Sequence, residues 1–308
     1  MTKIFIDGSA GTTGLRIHER LQTRADLELI RLPEEVRKDP AARADALQRA
    51  DIAFLCLPDA AAVEAVALAG DAGTKIIDTS TAHRCAPGWV YGFPELKDKR
   101  AQIAASSRIA NPGCHASGFI ALTAPLVEAG ILCADDQFSC FSLTGYSGGG
   151  KSMIADYENP ERNPLLSAPR QYGLTQQHKH LREMSVQTGI AKLPLFCPIV
   201  ADFYSGMEVT VPLSAEQIRG TAAYIREVYR SVYASGLVRY REGADEGGFL
   251  SAAAFSGRDD MEVSVYGNDE RILLTARYDN LGKGASGAAI QNMNLLLGAD
   301  EAEGLVCG

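Results

Sequence analysis

The sequence predicts an α/β chain in two parts, a parallel sheet first and a mixed or antiparallel sheet after it. Three observations carry this. In the first third, short β-branched or apolar runs alternate with alanine-rich stretches, the pattern of strands joined by helical crossovers. A tight turn at Asn111-Pro112-Gly113 then interrupts that rhythm. Beyond it the strands lengthen and helices become fewer. With 308 residues, 46% of them hydrophobic, the chain can bury a substantial core and divides more naturally into two domains than one.

Taken in order, Thr2 to Asp7, Leu27 to Leu32, Ile52 to Leu57 and Lys75 to Thr79 read as strands, with helices over Gly11 to Thr23, Ala41 to Arg49 and Asp59 to Ala69. Each crossover is short enough for a right-handed βαβ unit. The strand Arg108 to Ala110 leads into the turn, and an apolar helix, Ala116 to Glu128, follows it. Later strands are expected over Gln137 to Thr144, Glu208 to Pro212, Glu262 to Tyr266 and Arg271 to Tyr278, with helices around His178 to Thr188 and Ala215 to Ser235. A last helix, Ser286 to Leu297, carries Ala288, Ala289, Met293 and Leu296 at helical spacing and can return to the first domain. The expected domains are residues 1–113 and 114–283, with the C-terminal helix of 284–308 packed back on the first.

Composition excludes several classes. A net charge of -8 and a pI near 5.2 give no basic surface for nucleic acid. The chain has no signal-peptide layout and no apolar stretch of membrane-spanning length, so it reads as a cytoplasmic protein without a membrane partner. Seven cysteines, Cys56, Cys85, Cys114, Cys133, Cys140, Cys197 and Cys307, lie scattered without a CxxC pair or metal-ligand spacing. A reducing compartment fits their odd count, and no metal site is expected.

Directly after the first strand comes Gly8-Ser9-Ala10-Gly11-Thr12-Thr13-Gly14, a GxxGxxG run that opens a helix. Glycines allow a tight turn and close backbone approach, and the helix N-terminus offers free N–H groups to a pyrophosphate. A turn that merely packs closely is the alternative. At the end of the second strand, where an NAD-selective site places Asp or Glu, stands Arg31, with Arg37 and Lys38 beyond it. A guanidinium there suits a 2′-phosphate, which favours NADP(H). Glu34 and Glu35 stand close by, and a solvated arginine is the other reading.

Cys114 follows a Pro-Gly turn at the start of a helix, where the positive end of the dipole favours a thiolate. Cys56, Cys133, Cys140 and Cys197 lie in or beside apolar strand-like runs and read as small buried hydrophobes. Cys85 and Cys307 have no activating context. A nucleophilic cysteine needs an acid/base partner. His178, His180 and Glu183 form an HxHxxE pattern in which His180 and Glu183 share a helical face, so the carboxylate can fix the imidazole tautomer. A solvated polar face accounts for the same pattern. His18 reads as a surface residue, His83 can line a cleft, and His115 points away from its neighbour Cys114 if both are helical.

The Asn-Pro-Gly-Cys run at 111–114, combined with the glycine-rich opening, resembles the N-acetyl-γ-glutamyl-phosphate reductases of arginine biosynthesis, in their short second type. Supporting stretches are Asp78-Thr79-Ser80-Thr81-Ala82-His83-Arg84, Tyr91 to Leu96, Gly145 to Lys151 and Asn280 to Gly287, in the family's order. The resemblance implies the fold of the glyceraldehyde-phosphate and aspartate-semialdehyde dehydrogenases, a Rossmann domain plus an α+β substrate domain. It implies NADPH as donor, N-acetyl-γ-glutamyl phosphate as the anionic substrate, and a semialdehyde and inorganic phosphate as products. It also implies a homo-oligomer, dimer or tetramer. Cys114 matches the family's nucleophile and His178, His180 and Glu183 its histidine segment. Ser147 and Gly148 match the loop near the nicotinamide ribose, Asn280 falls near the carboxamide contact, and Ser80 joins the cofactor set. The longer type commonly has tyrosine after the cysteine, where this chain has His115.

On this reading the Cys114 thiolate displaces phosphate, the resulting thioester accepts hydride, and His180, with His178 as rival, handles the proton. The backbone N–H of Cys114 and the side chain of Asn111 are candidate oxyanion donors. Arg84 and Lys151, and after them Arg182, are candidate clamps for the substrate's phosphate and carboxylate. Two rivals stand beside this reading: an aspartate-semialdehyde dehydrogenase, and a non-catalytic NADP-binding sensor of the same fold.

Overall fold

A computed structural model describes all 308 residues. The chain separates into two compact units, Met1–Pro112 with Ala285–Leu305, and Gly113–Gly284 with Val306–Gly308.

The first unit is a six-stranded parallel sheet. Its elements are β1 (Thr2–Asp7), α1 (Thr12–Leu21), β2 (Leu27–Ile30), α2 (Pro40–Arg49), β3 (Ile52–Leu55), α3 (Asp59–Ala69), β4 (Lys75–Asp78), β5 (Val90–Tyr91), α4 (Lys99–Ala105) and β6 (Arg108–Ala110). The strand order is β2-β1-β3-β4-β6-β5. Both faces are covered, which is why β3 reads as an unbroken apolar run, Ile52-Ala53-Phe54-Leu55, with every residue buried. The pleat sends Ile4, Ile6, Phe54 and Ile77 to one face, against Ile17 and Leu21 of α1 and Ile290 and Met293 of the closing helix Gly287–Leu297. Phe5, Ala53, Leu55 and Ile76 point to the other, against Ala46 and Leu47 of α2 and Ala62 and Ala65 of α3. Full burial of one such Ile, Leu or Phe contributes about 1.5–3 kcal/mol. α2 starts sharply because Pro40 stands at its first turn and Asp39 accepts the Ala42 N–H at 2.8 Å, a cap worth about 1 kcal/mol.

The second unit is a seven-stranded mixed sheet with helices. It contains α5 (Cys114–Glu128), β7 (Ser139–Gly145), α6 (Gly150–Glu158), β8 (Arg170–Gln171), α7 (His180–Thr188), β9 (Leu195–Ala201), β10 (Met207–Ser214), α8 (Ala222–Val232), β11 (Val238–Tyr240), β12 (Met261–Asn268) and β13 (Arg271–Tyr278). The order is β11-β12-β13-β10-β7-β9-β8, with β11–β12 and β7–β9 parallel and the remaining pairs antiparallel. α5 is its central helix: Phe119, Ile120, Leu122 and Leu126 are fully buried, and α8 fastens to it through Tyr229 and Tyr233 hydroxyls donated to the Leu122 and Ala121 carbonyls. The other face of the sheet is open in part, with Thr275 and Ser264 of the same row buried. Phe141, Leu195 and Leu273 are 45%, 53% and 43% exposed there, in rows that register Phe141 beside Thr210 and Cys197, and Pro212 beside Leu273.

Two expected helices are shorter than their sequence pattern. The stretch Ala215 to Ser235 is a 3-10 turn, Ala215–Gln217, followed by α8, because Gly220 takes φ +133° between them and Thr221 caps the second piece. The helix expected from His178 starts at His180, which gives the two histidines different settings.

No helix is long and apolar enough to cross a membrane.

Candidate functional site

In the first unit, the turn between β1 and α1 is built on two glycines, Gly8 and Gly14, whose places leave no room for a side chain. Gly8 has φ +86°, and a Cβ on it would collide with the Cys56 carbonyl. A Cβ on Gly14 would collide with the Gly8 carbonyl. The space above Gly11 is more open, its nearest neighbour standing 3.4 Å from where a Cβ would be. Gly11 caps α1 without a side-chain hydrogen bond, so the first-turn N–H groups keep their capacity for an anionic group. A cleft of about 370 Å³ opens beside this turn, lined by Gly8, Ser9, Ala10, Arg31, Arg37 and Lys38 among others. Arg31 is exposed at its wall. Arg37 is paired with Glu34, and Arg43 with the buried Asp7, so neither guanidinium is uncommitted. Glycine turn, uncapped helix start and basic rim together fit a dinucleotide phosphate.

Asp78, Ser80 and His83, named separately in the sequence, form one network in the same unit. Asp78, fully buried, takes the Ser80 N–H at 2.9 Å and hydroxyl at 2.7 Å, and its Oδ2 lies 2.6 Å from His83 Nδ1. The His83 ring stacks on Trp89, centroids 4.0 Å apart. Ser80 is therefore committed to Asp78 through its hydroxyl.

Arg84 and Asn111 have bracing roles that the sequence did not reveal. Arg84 is 8% exposed and donates to the carbonyls of Asn111 at 2.9 Å and Thr79 at 3.0 Å. These two bonds fix the position of the guanidinium expected to clamp the substrate and use only part of its five N–H donors. Asn111 is 1% exposed, donates from its amide to the Ala285 carbonyl and accepts from Asn292. One of its two amide N–H donors is thus committed within the unit. Lys151 stays exposed on α6, and Arg182 on α7, in the second unit.

In the second unit, Cys114 is the first residue of α5 after the Gly113 cap. An anion at this position gains from the aligned peptide dipoles. Two side chains, Tyr278 and Glu183, hold this end of the helix. The Tyr278 hydroxyl donates to the Cys114 carbonyl at 2.5 Å and accepts the Gly118 N–H at 3.0 Å, sitting in the first turn between groups that an i→i−4 bond would join. Gly118 cannot carry a side chain, since a Cβ would lie 2.7 Å from that hydroxyl. A Cβ on Gly284 would lie 3.0 Å from the Cys114 Cβ, so this glycine keeps the space beside the thiol carbon. Glu183 accepts the Gly113 N–H at 2.7 Å, a further support besides the imidazole-orienting part expected of it.

The histidines converge. His115, His178 and His180 lie with ring centroids 4.8–5.8 Å apart, and Phe196 packs against His115 and His178. His178 precedes α7, and its Nδ1 accepts the His180 backbone N–H at 3.2 Å. Burial, and then the neighbouring Lys179 charge, hold His178 below the ordinary histidine value. His180 is 5% exposed at the first turn of α7. His115, set aside in the sequence as pointing elsewhere, belongs to this cluster; burial and then His178 hold it down to about 3, so it is neutral. Of the other thiols, burial pushes Cys56 up to about 12 and raises Cys140 as well, which keeps both protonated.

Ser147 and Asn280, expected separately, are joined: the Asn280 amide donates to the Ser147 hydroxyl at 3.0 Å and accepts the Gly206 N–H at 2.9 Å. Gly148 is exposed beside them.

A parallel α/β unit, a mixed-sheet unit and a thiol at a helix start define a dehydrogenase of the semialdehyde type. Residues 33–105 match the semialdehyde dehydrogenase NAD binding domain, and residues 114–280 the semialdehyde dehydrogenase dimerisation domain. An N-acetyl-gamma-glutamyl-phosphate reductase 2 from Pseudomonas putida is 44% identical over 315 residues, with 98% of each chain covered. An N-acetyl-gamma-glutamyl-phosphate reductase from Chelativorans sp. is 47% identical over 305 residues, covering 96% of this chain and 98% of its own. The chain belongs to the N-acetyl-gamma-glutamyl-phosphate reductase family. Among solved structures, aspartate semialdehyde dehydrogenase II from Vibrio cholerae, complexed with ASA, has the same fold at 18% identity, with a TM-score of 0.73 over 96% of this chain and 98% of its own. The enzyme from Candida albicans, solved with NADP, gives 0.66 at 13% identity over 96% and 98%.

Proposed function

We propose that this chain reduces N-acetyl-γ-glutamyl phosphate to N-acetylglutamate 5-semialdehyde and inorganic phosphate with NADPH, through a thioester on Cys114. The observation that carries the reading is the placement of Cys114 at the first position of α5, with Gly284 against its Cβ and the next residue, His115, in a cluster of three histidines, in a chain 44–47% identical to reductases of that name.

Each residue's part follows from its setting. The Cys114 sulfur attacks the acyl carbon and phosphate leaves. NADPH, when bound by the Gly8–Gly14 turn with Arg31 at its rim, supplies the hydride. His180 delivers or removes the proton as the tetrahedral oxygen forms and collapses, while His178, with Nδ1 already accepting a backbone N–H, keeps only its other ring nitrogen for chemistry. Glu183 holds Gly113, and through it the start of α5. Ser147, Gly148 and Asn280 form one polar group for the nicotinamide end, and Ser80, fixed by Asp78, serves the cofactor from the first unit. Arg84, which keeps guanidinium N–H groups beyond those on the Asn111 and Thr79 carbonyls, and the exposed Lys151 and then Arg182 are the cations for the substrate's anionic groups.

We also assign residues 1–113 with the closing helix to cofactor binding and 114–283 to catalysis. The open sheet face carrying Phe141 and Leu273 is where a second copy docks, in keeping with the match to a dimerisation domain. A cytoplasmic setting belongs to the same reading.

Phosphate-dependent oxidation of N-acetylglutamate semialdehyde by NADP tests it, with aspartate semialdehyde as the competing substrate. Cys114→Ser is expected to bind NADPH and lose turnover by more than about 10³-fold, in line with removal of a covalent nucleophile. Retained turnover in that variant, or preference for aspartate semialdehyde, overturns the proposal.

A further inference from the structure

His115 stands between two hydroxyls. Its Nδ1 is 2.6 Å from Ser142 Oγ and its Nε2 is 2.6 Å from the Tyr172 hydroxyl. The ring is neutral, so it has one N–H donor and one bare acceptor nitrogen. Which nitrogen is which follows from Ser142. That hydroxyl is fully buried in β7, and the His115 ring is its one hydrogen-bond partner. A buried hydroxyl that fails to donate leaves a polar hydrogen unsatisfied, the costly outcome, whereas an unused acceptor lone pair on the same oxygen is tolerated. Ser142 therefore donates to Nδ1. The ring proton then lies on Nε2 and is donated to the Tyr172 oxygen. Tyr172, having accepted from His115, cannot give its own proton back along the same line.

From this geometry we propose that Tyr172 is a further catalytic residue, whose hydroxyl donates a hydrogen bond to the oxygen that turns negative when the Cys114 sulfur adds to the substrate carbonyl, and that His115 and Ser142 are positioning residues fixing its direction. The inference rests on the reductase reading above and adds a donor that it lacked. Tyr172 is well placed for it. Its hydroxyl is bonded to the residue following the nucleophile, its backbone N–H is anchored to the Pro198 carbonyl at 3.0 Å, and its ring lies 6.0 Å from that of His178. Burial, and then the Cys114 charge close by, raise its phenol, which keeps it a donor throughout the working range. The hydroxyl keeps its proton, so no net transfer is involved and the acid/base part stays with His180. The residue directly after the cysteine is thus a histidine that orients a tyrosine lying just beyond β8.

The test has two arms. In protein labelled with [¹⁵N]histidine, the His115 ring should give the Nε2–H tautomer; a proton on Nδ1 overturns the inference whatever the activity. In the kinetic arm, Tyr172→Phe should lower kcat by about 10²-fold, the loss expected on removing one oxyanion donor, with KM for NADPH and the iodoacetamide labelling rate of Cys114 unchanged. Ser142→Ala, which removes the bias on the tautomer, should lose less, and Ser142→Thr should restore the Nε2–H signal and most of the rate. Wild-type kcat in Tyr172→Phe overturns the proposal. If wild type itself fails to oxidise N-acetylglutamate semialdehyde, the reductase reading falls instead, and the tautomer measurement separates the two failures.

Discussion

The Glu183 carboxylate accepts the Gly113 N–H at 2.7 Å, so α7 grips the residue that caps α5 and immediately precedes Cys114. Glu183 is 2% exposed, and a buried charge-assisted bond of this kind is expensive to break.

Removing that grip should cost both stability and rate. Glu183→Ala is expected to lower the unfolding free energy by about 1–3 kcal/mol and kcat by roughly tenfold or more, as the start of α5 shifts. Glu183→Gln keeps an acceptor oxygen and should retain most of both. Urea unfolding and steady-state assays of the two variants decide this; equal losses in both would show that the charge, and not the accepted N–H, is what matters.

Arg31 stands exposed on the rim of the β1–β2 cleft, where Arg37 and Arg43 are already paired. Arg31→Ala should weaken NADPH binding by about 1.5–3 kcal/mol, the value of a hydrogen bond to a charged group, and leave NADH binding nearly unchanged. Fluorescence titration with both nucleotides gives the answer. Parallel losses for the two would remove Arg31 from 2′-phosphate recognition.

How much of this was legible beforehand differs by residue. The Gly8–Gly14 turn and the Cys114 helix start could be read because local chain chemistry fixes them: a strand end, glycines that alone fit the turn, and a Pro-Gly stop. Tyr172 and Ser142 could not, because they reach His115 from 57 and 27 residues away in the chain. The bracing part of Arg84 was hidden for the same reason: its acceptors are main-chain carbonyls, and a carbonyl has no signature in sequence. The helix expected from His178 begins instead at His180, which turns the first histidine into an acceptor for the backbone N–H of the second.

Acid sensitivity should trace partly to His115. Burial keeps its folded value down to about 3, while an unfolded histidine titrates near 6.5. As pH falls below 6.5 the unfolded chain takes up a proton that the folded chain refuses, so this contribution is fully present above 6.5 and is lost toward 3. The slope is about 1.4 kcal/mol per pH unit. The lowered His178 acts with the same sign. His115→Gln should unfold with a pH dependence shallower by one proton in denaturant titrations run at several pH values below neutrality; an unchanged slope would assign the sensitivity elsewhere.

The open sheet face gives an assembly prediction. Phe141→Glu or Leu273→Glu should leave the fold intact by circular dichroism and shift the protein to monomer in sedimentation velocity, since each places a charge among rows of exposed apolar side chains. Unaltered assembly in both variants would put the interface on another surface.

Helices ordinarily fray from their ends, and a nucleophile at the first position of one would share that breathing. Here the Tyr278 hydroxyl ties the Cys114 carbonyl and the Gly118 amide to β13, a strand buried along most of its length. The sulfur thereby inherits the rigidity of the sheet, and its reach toward a carbonyl carbon is set by a strand instead of by the opening and closing of a helix tip.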